Sequence, residues 1–237
     1  TGRAPDLRVA RVLEGAAAGG AELVFERLAM AQAAQGMPVL PIIRRNADRA
    51  ARLSSTGAQP LQLPFCGKLD LRTGPRLRRA LQAFAPRVTI AWMNRAAQFT
   101  PKGDWVLAGR LGGYYDLAYY RRCTHLIGNT RGLKSWMIEQ GWDEKRVHYL
   151  PNFATDLADT APVWPAQVPH SAPFLLALGR LHTNKAFDVL IRSLRTVPHI
   201  PLVIVGDGPE RAALEELARR EGVQERVFMP GWAVDPG

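Results

Sequence analysis

Two cations carry the clearest chemical signal in this chain of 237 residues. Arg180 and Lys185 both lie in GRLHTNK, directly after the apolar run Phe174–Leu178 (FLLAL). Such a run reads as a strand buried on both faces. Open α/β sheets bind ligands beyond the carboxyl ends of their strands. A guanidinium fork and an ammonium at that place suit a diphosphate. His182 shares the loop and is the histidine of most interest. His125 and His148 fall in apolar, strand-like runs and read as packed core residues, while His170 and His199 sit in loops with no evident partner.

A second candidate is Gly19-Gly20-Ala21-Glu22, between a first strand and a first helix. Glycines let the backbone approach a ligand closely, and a helix start offers free N–H groups to an anion. The segment is not a G-x-G-x-x-G dinucleotide fingerprint, which argues against a nicotinamide dehydrogenase, and the chain has no P-loop. Gly206-Asp207-Gly208-Pro209 reads first as a strand-to-helix turn, because such a turn needs these residues. Asn94 and Arg95, after a strand ending at Trp92, are further pocket candidates. No His, Cys or carboxylate set has metal-ligand spacing, and neither a G-x-S-x-G elbow nor a catalytic-cysteine pattern occurs.

These residues need a scaffold, and the hydrophobic pattern supplies one. Strands are expected at Leu7–Leu13, Val39–Ile43, Leu61–Leu63, Val88–Trp92, Trp105–Ala108, His125–Gly128 and Val147–Leu150. Helices are expected from about Ala21 to Gln35, at Pro75–Phe84 with Leu77 and Leu81 inward, and at Leu133–Gln140. Pro41 suggests an edge strand or a bend. The second half reads β-α-β-α-β: Phe174–Leu178, a helix over Ala186–Leu194 with Ala186, Val189, Leu190 and Leu194 on one face, Pro201–Val205, a helix over Glu210–Arg220, then Val227–Met229. Alternating strands and helices imply parallel sheets with right-handed crossovers. The expected fold is α/β, with two Rossmann-like domains: residues 1–153, a Pro-rich linker over 154–173, and an incomplete second domain over 174–237.

Charge is unevenly spread. Residues 1–150 hold 23 Lys and Arg against 11 Asp and Glu, although the whole chain carries only +10. Arginines cluster at Arg44, Arg45, Arg49 and Arg52, and again at Arg72, Arg76, Arg78, Arg79 and Arg87. An anionic lipid surface is one reading of such a half and an Arg-rich solvated face the other; nucleic acid is not expected, because few aromatics accompany the arginines. No apolar run reaches the ~20 residues of a membrane span, and no signal peptide is evident. Cys66 and Cys123 lie far apart and fit a reduced, cytoplasmic setting. A missing initiator Met and an open-edged second sheet lead to the expectation of a fragment of a longer protein.

Taken in order, Gly179-Arg180-Leu181 through Lys185, Leu190-Ile191, VIVGDGPE and Val227–Gly231 resemble the retaining family 4 (group 1) glycosyltransferases of GT-B fold. Gly19-Gly20-Ala21-Glu22, HLIGNT at His125–Thr130, and Tyr149-Leu150-Pro151-Asn152 resemble the first domain of that family. LGGYYDLAYYRRCTHLIGNT is similar to bacterial members that build lipopolysaccharide or other surface glycans. The resemblance implies a nucleotide-diphosphate sugar bound between two domains and a sugar moved with retention to a glycan or lipid-linked acceptor. It implies no cofactor and no metal. Arg180 and Lys185 match the pair that contacts the donor diphosphate. Gly20 matches a position facing the donor phosphate, and Gly19, Glu22, Gly179, Gly206 and Asp207 fall on the donor side. Arg110 takes the place of a His near the acceptor and joins the catalytic set, with Asn94 and Arg95 on the acceptor side. The family's Glu-x7-Glu motif is not reached, so the chain reads as truncated at its carboxyl end and inactive by itself. A peripheral place on the inner face of the cell membrane is expected. The alternatives are a non-catalytic truncated or split GT-B module, or another GT-B enzyme such as a nucleotide-sugar epimerase.

Overall fold

The computed structural model describes residues 7–15, 19–66, 70–153, 161–168 and 172–232. The chain divides into two compact units, Thr1–Ala154 and Thr155–Gly237, each with its own parallel sheet. Parts of the expected linker, residues 154–160 and 169–171, and His170 with them, lie outside the described residues.

The first unit holds β1 (Val9–Leu13), β2 (Val39–Arg44), β3 (Leu61–Leu63), β4 (Val88–Trp92), β5 (Val106–Leu111), β6 (His125–Gly128) and β7 (Val147–Tyr149). Their order is β3-β2-β1-β4-β5-β6-β7. The chain winds outward in both directions from β1 and β4, so the loops after these two strands open at the switch point of the sheet. Helices α1 (Gly20–Ala34) and α2 (Ala47–Ser54) supply the core on one face, where Leu13, Phe25, Ile43, Leu53 and Trp92 pack. Helices α3 (Thr73–Phe84), α4 (Met93–Phe99) and α5 (Arg131–Glu139) close the other face over Val12, Ile42, Ala91, Leu107 and Leu126. As expected, Leu77 and Leu81 are the buried stripe of α3.

In the second unit β8 (Leu175–Leu178), β9 (Leu202–Val205) and β10 (Val227–Gly231) follow one another in the sheet. The two connecting helices, α6 (Phe187–Ser193) and α7 (Arg211–Arg220), pack together with Leu202 and Ile204 in one core. Side chains alternate along a strand, so the two faces of this sheet differ.

Several expectations need correction. The β8 run is not buried on both faces: Leu176 and Leu178 are 53% and 52% exposed, because β8 is an edge strand whose Leu175 and Ala177 alone meet the helical core. The inward face of α6 is Phe187 and Ile191, continued by Leu194, and Val189 points outward. Pro41 lies in an internal strand, but β3 pairs with β2 only from Ile42 onward, so Pro41 has a single ladder beside it. His125 and His148 are not core residues; their rings stack at the surface with centroids 5.2 Å apart and Nδ1 2.9 Å from Nε2. Burial, and then the neighbouring His148 and Arg146, hold the His125 imidazole below its ordinary value. Helices α2 and α4 had no counterpart among the expected elements.

Candidate functional site

Arg180 owes its place to backbone packing between two strand-end loops. Gly179 N–H donates to Val205 O at 3.0 Å, Leu181 N–H to Asp207 O at 3.0 Å, and Glu210 N–H to Leu181 O at 3.2 Å. A Cβ at Gly206 would collide with the Gly179 carbonyl, and one at Gly208 with the Leu181 carbonyl. These glycines therefore seat the Arg180 loop on the loop after β9. Gly206 has φ +150, a conformation that also favours glycine. Asp207 is committed locally, accepting from Gly208 N–H at 2.7 Å and Arg211 Nε at 3.1 Å. The Arg211 hydrogen bond, then the Gly208 amide, hold its carboxyl below the usual range.

Lys185 ends a short 3-10 turn, Thr183–Lys185, capped by His182, whose Nδ1 accepts from Asn184 N–H at 3.3 Å. The lysine stem folds back toward the strand end: a Cβ at Gly179 would lie 3.8 Å from Lys185 Cε. Arg180 and Lys185 are both exposed, and neither side chain has a carboxylate partner among the described residues. Two uncommitted cations thus stand beyond the carboxyl end of β8, where an anion has the most to gain.

In the first unit the corresponding edge is polar and crowded. Gly19 is the N-cap residue of α1, and Gly20 opens the helix. Residues 16–18 lie outside the described residues. Glu22 is buried at 6% exposure. Met93 turns the chain from β4 into α4 with φ +66, a left-handed conformation unusual for methionine. Asn94 follows, and its Oδ1 accepts from the Tyr120 hydroxyl at 2.8 Å. Arg95 Nη1 donates to Glu14 Oε1 at 3.0 Å, and Arg44 Nη1 stands 3.6 Å from the same oxygen. Sequence reasoning missed Glu14 and Tyr120. Glu14 is the first residue beyond β1, the place where a strand-end carboxylate is worth checking.

Arg110 stands elsewhere than expected. It lies inside β5 rather than after it, at 4% exposure. Its Nη1 donates to Leu150 O at 3.2 Å, its Nη2 to Asn152 Oδ1 at 2.8 Å, and the guanidinium lies 4.6 Å from the Trp92 ring centroid. Burial lowers its pKa. These contacts tie β5 to the Pro151-Asn152 segment. Nearby, Arg11 is buried with Nε donating to Gln32 Oε1 at 2.7 Å; burial, helped by the charge of Arg110, pulls it down to about 10. Among the described residues no group of three or more His, Cys, Asp or Glu could hold a metal ion.

Known proteins resemble this chain in sequence and in fold. Residues 163–235, which include β8, α6, β9 and α7, match the family model for group 1 glycosyl transferases. The lipopolysaccharide core biosynthesis glycosyltransferase LpsE of Rhizobium meliloti is 32% identical over 228 residues. This chain and LpsE are homologous. The alignment covers 92% of this chain and 65% of LpsE, so the chain spans less than two thirds of that relative. A glycosyltransferase from Rickettsia africae superposes with a TM-score of 0.77 at 15% identity, over 98% of this chain and 69% of that one. HepE of Anabaena, solved with UDP and glucose, gives 0.72 at 16% identity, over 96% and 70%. The fold is GT-B, with a seven-stranded and a three-stranded parallel sheet. The chemistry of this chain is sought at the carboxyl ends of β1, β4 and β8. No helix among the described residues is long and apolar enough to cross a membrane.

Proposed function

We propose that this chain is part of a retaining glycosyltransferase that moves a sugar from a nucleotide-diphosphate sugar to a lipid-linked or envelope-glycan acceptor. The observation that carries the reading is a pair of exposed cations on the loop after β8, Arg180 and Lys185, with no carboxylate partner among the described residues. When the sugar–phosphate bond breaks, negative charge grows on the departing diphosphate. Fixed cations at that point lower the barrier without reorganising. In this reading the two side chains carry the charge, with no metal called for. LpsE supports an acceptor of the lipopolysaccharide type, and HepE, solved with UDP and glucose, supports a nucleotide-sugar donor.

The acceptor side belongs to the edge beyond β1 and β4. Arg95 and Arg44 share the Glu14 carboxylate, and Asn94 leans on Tyr120. These polar groups suit a hydroxyl-rich acceptor. Arg110, held by Leu150 and Asn152, acts in this reading as scaffold. A basic first unit fits a place at the inner, anionic face of a membrane, beside lipid-linked acceptors.

Sugar transfer from a labelled nucleotide sugar to extracted lipopolysaccharide core tests the reaction, with the product anomer read by NMR. The expected product keeps the donor's anomeric configuration. An inverted product contradicts retention. Release of free sugar or its epimer without any acceptor would instead point to an epimerase-type enzyme.

A further inference from the structure

Glu22 does something other than meet the donor. A Cβ at Gly15 would lie 2.8 Å from Glu22 Cγ and 2.9 Å from Cδ, and would run into Oε1. A Cβ at Gly19 would lie 3.2 Å from Cδ and would run into Oε2. One buried side chain thus occupies the room that two residues, on either side of positions 16–18, would otherwise fill. Gly20 is different: a Cβ there meets nothing within 4 Å among the described residues.

We propose that Glu22 is a positioning residue. Its side chain packs against Gly15 and Gly19 and holds those two positions. The local chemistry fits. Gly19 is the N-cap residue of α1, which makes Glu22 the third helical residue, N3. From there a carboxylate reaches back over the N-cap, and a negative charge is stabilised at that helix end. Glu22 takes the space that side chains at positions 15 and 19 would fill. The proposal rests on the reading of this segment as donor-facing.

The test compares the parent chain with Glu22→Ala, Glu22→Gln and Gly19→Ala by amide hydrogen exchange and by calorimetric titration of UDP. In Glu22→Ala and Gly19→Ala, exchange over Gly19–Val24 is expected to rise about tenfold, and UDP affinity to fall about tenfold through a displaced backbone. Glu22→Gln keeps the shape and an accepting oxygen, and is expected to stay close to the parent in both. Unchanged exchange in Glu22→Ala overturns the positioning role. Faster exchange with unaltered UDP affinity overturns the link to the donor. A parent that binds no UDP overturns the donor reading itself, and exchange alone then decides whether Glu22 holds the segment.

Discussion

At the scale of single residues, burial decides which charges are free to work. Arg180 and Lys185 are exposed and have no carboxylate partner among the described residues, whereas Arg110 and Arg49 are buried and committed. Glu26 shows how strong such commitments are. Arg49 Nε donates to its Oε1 and Arg52 Nε to its Oε2, both at 2.7 Å. Burial alone would raise the Glu26 pKa, but the hydrogen bonds from Arg52 and then Arg49 outweigh it and hold the carboxyl below the usual range. A depressed carboxyl stabilises the fold above its ordinary pKa, and that contribution disappears as pH falls through the folded value. Replacing Glu26 by Ala removes the carboxylate that Arg49 Nε meets at 1% exposure, and breaking that buried pair is expected to cost roughly 3–5 kcal/mol. Thermal unfolding should show a large drop in Tm for Glu26→Ala at neutral pH, and a flatter acid limb for Glu26→Gln than for the parent. An Ala variant as stable as the parent would mean the pair contributes nothing. The sequence marks which residues are charged, and so Arg180 and Lys185 were legible. It does not mark depth, which is why Arg110 and the two surface histidines were misplaced.

At the scale of elements, most strands were readable because a parallel strand buried by helices is a continuous apolar run. The misses have physical causes. Helix α2 opens on Asn46, whose Oδ1 accepts from Arg49 N–H at 2.8 Å; the N-cap signal was there, but arginines masked its short apolar stripe. Helix α4 follows β4 without a single breaking residue, the turn being made by Met93 at φ +66. Helix α3 carries a consequence of its own. Asp70 fastens its start, accepting from the Thr73 hydroxyl at 2.6 Å and from the Arg72 and Thr73 amides at 3.0 and 2.9 Å. The Thr73 hydroxyl above all, with backbone amides behind it, takes this carboxyl down to about 2. Along the helix Arg76, Arg78 and Arg79 are exposed, Arg72 precedes them, and no acidic residue lies within the helix. Leu71, 86% exposed, sits at the same end. Replacing Arg76, Arg78 and Arg79 by Gln should weaken sedimentation with anionic vesicles, by roughly 1 kcal/mol for each charge near the surface. Equal binding to neutral and anionic vesicles, or an unaffected variant, contradicts a lipid role for α3.

At the scale of the whole molecule, two parallel sheets divide the work. The first unit holds the basic excess and a polar edge, and the second holds the exposed cations Arg180 and Lys185. The order of motifs along the chain made the GT-B fold legible before any geometry. The alternation of side chains in β8 was less legible, because apolar residues occupy both its covered and its open face. The central claim is that Arg180 and Lys185 receive a donor diphosphate, and calorimetric titration of UDP-, GDP- and ADP-sugars tests it most directly. The parent should bind one of the three, and Arg180→Ala should bind it about 10- to 100-fold more weakly, the loss of one charge-assisted hydrogen bond. Equal binding of that donor by parent and Arg180→Ala would place the diphosphate elsewhere and contradict the account.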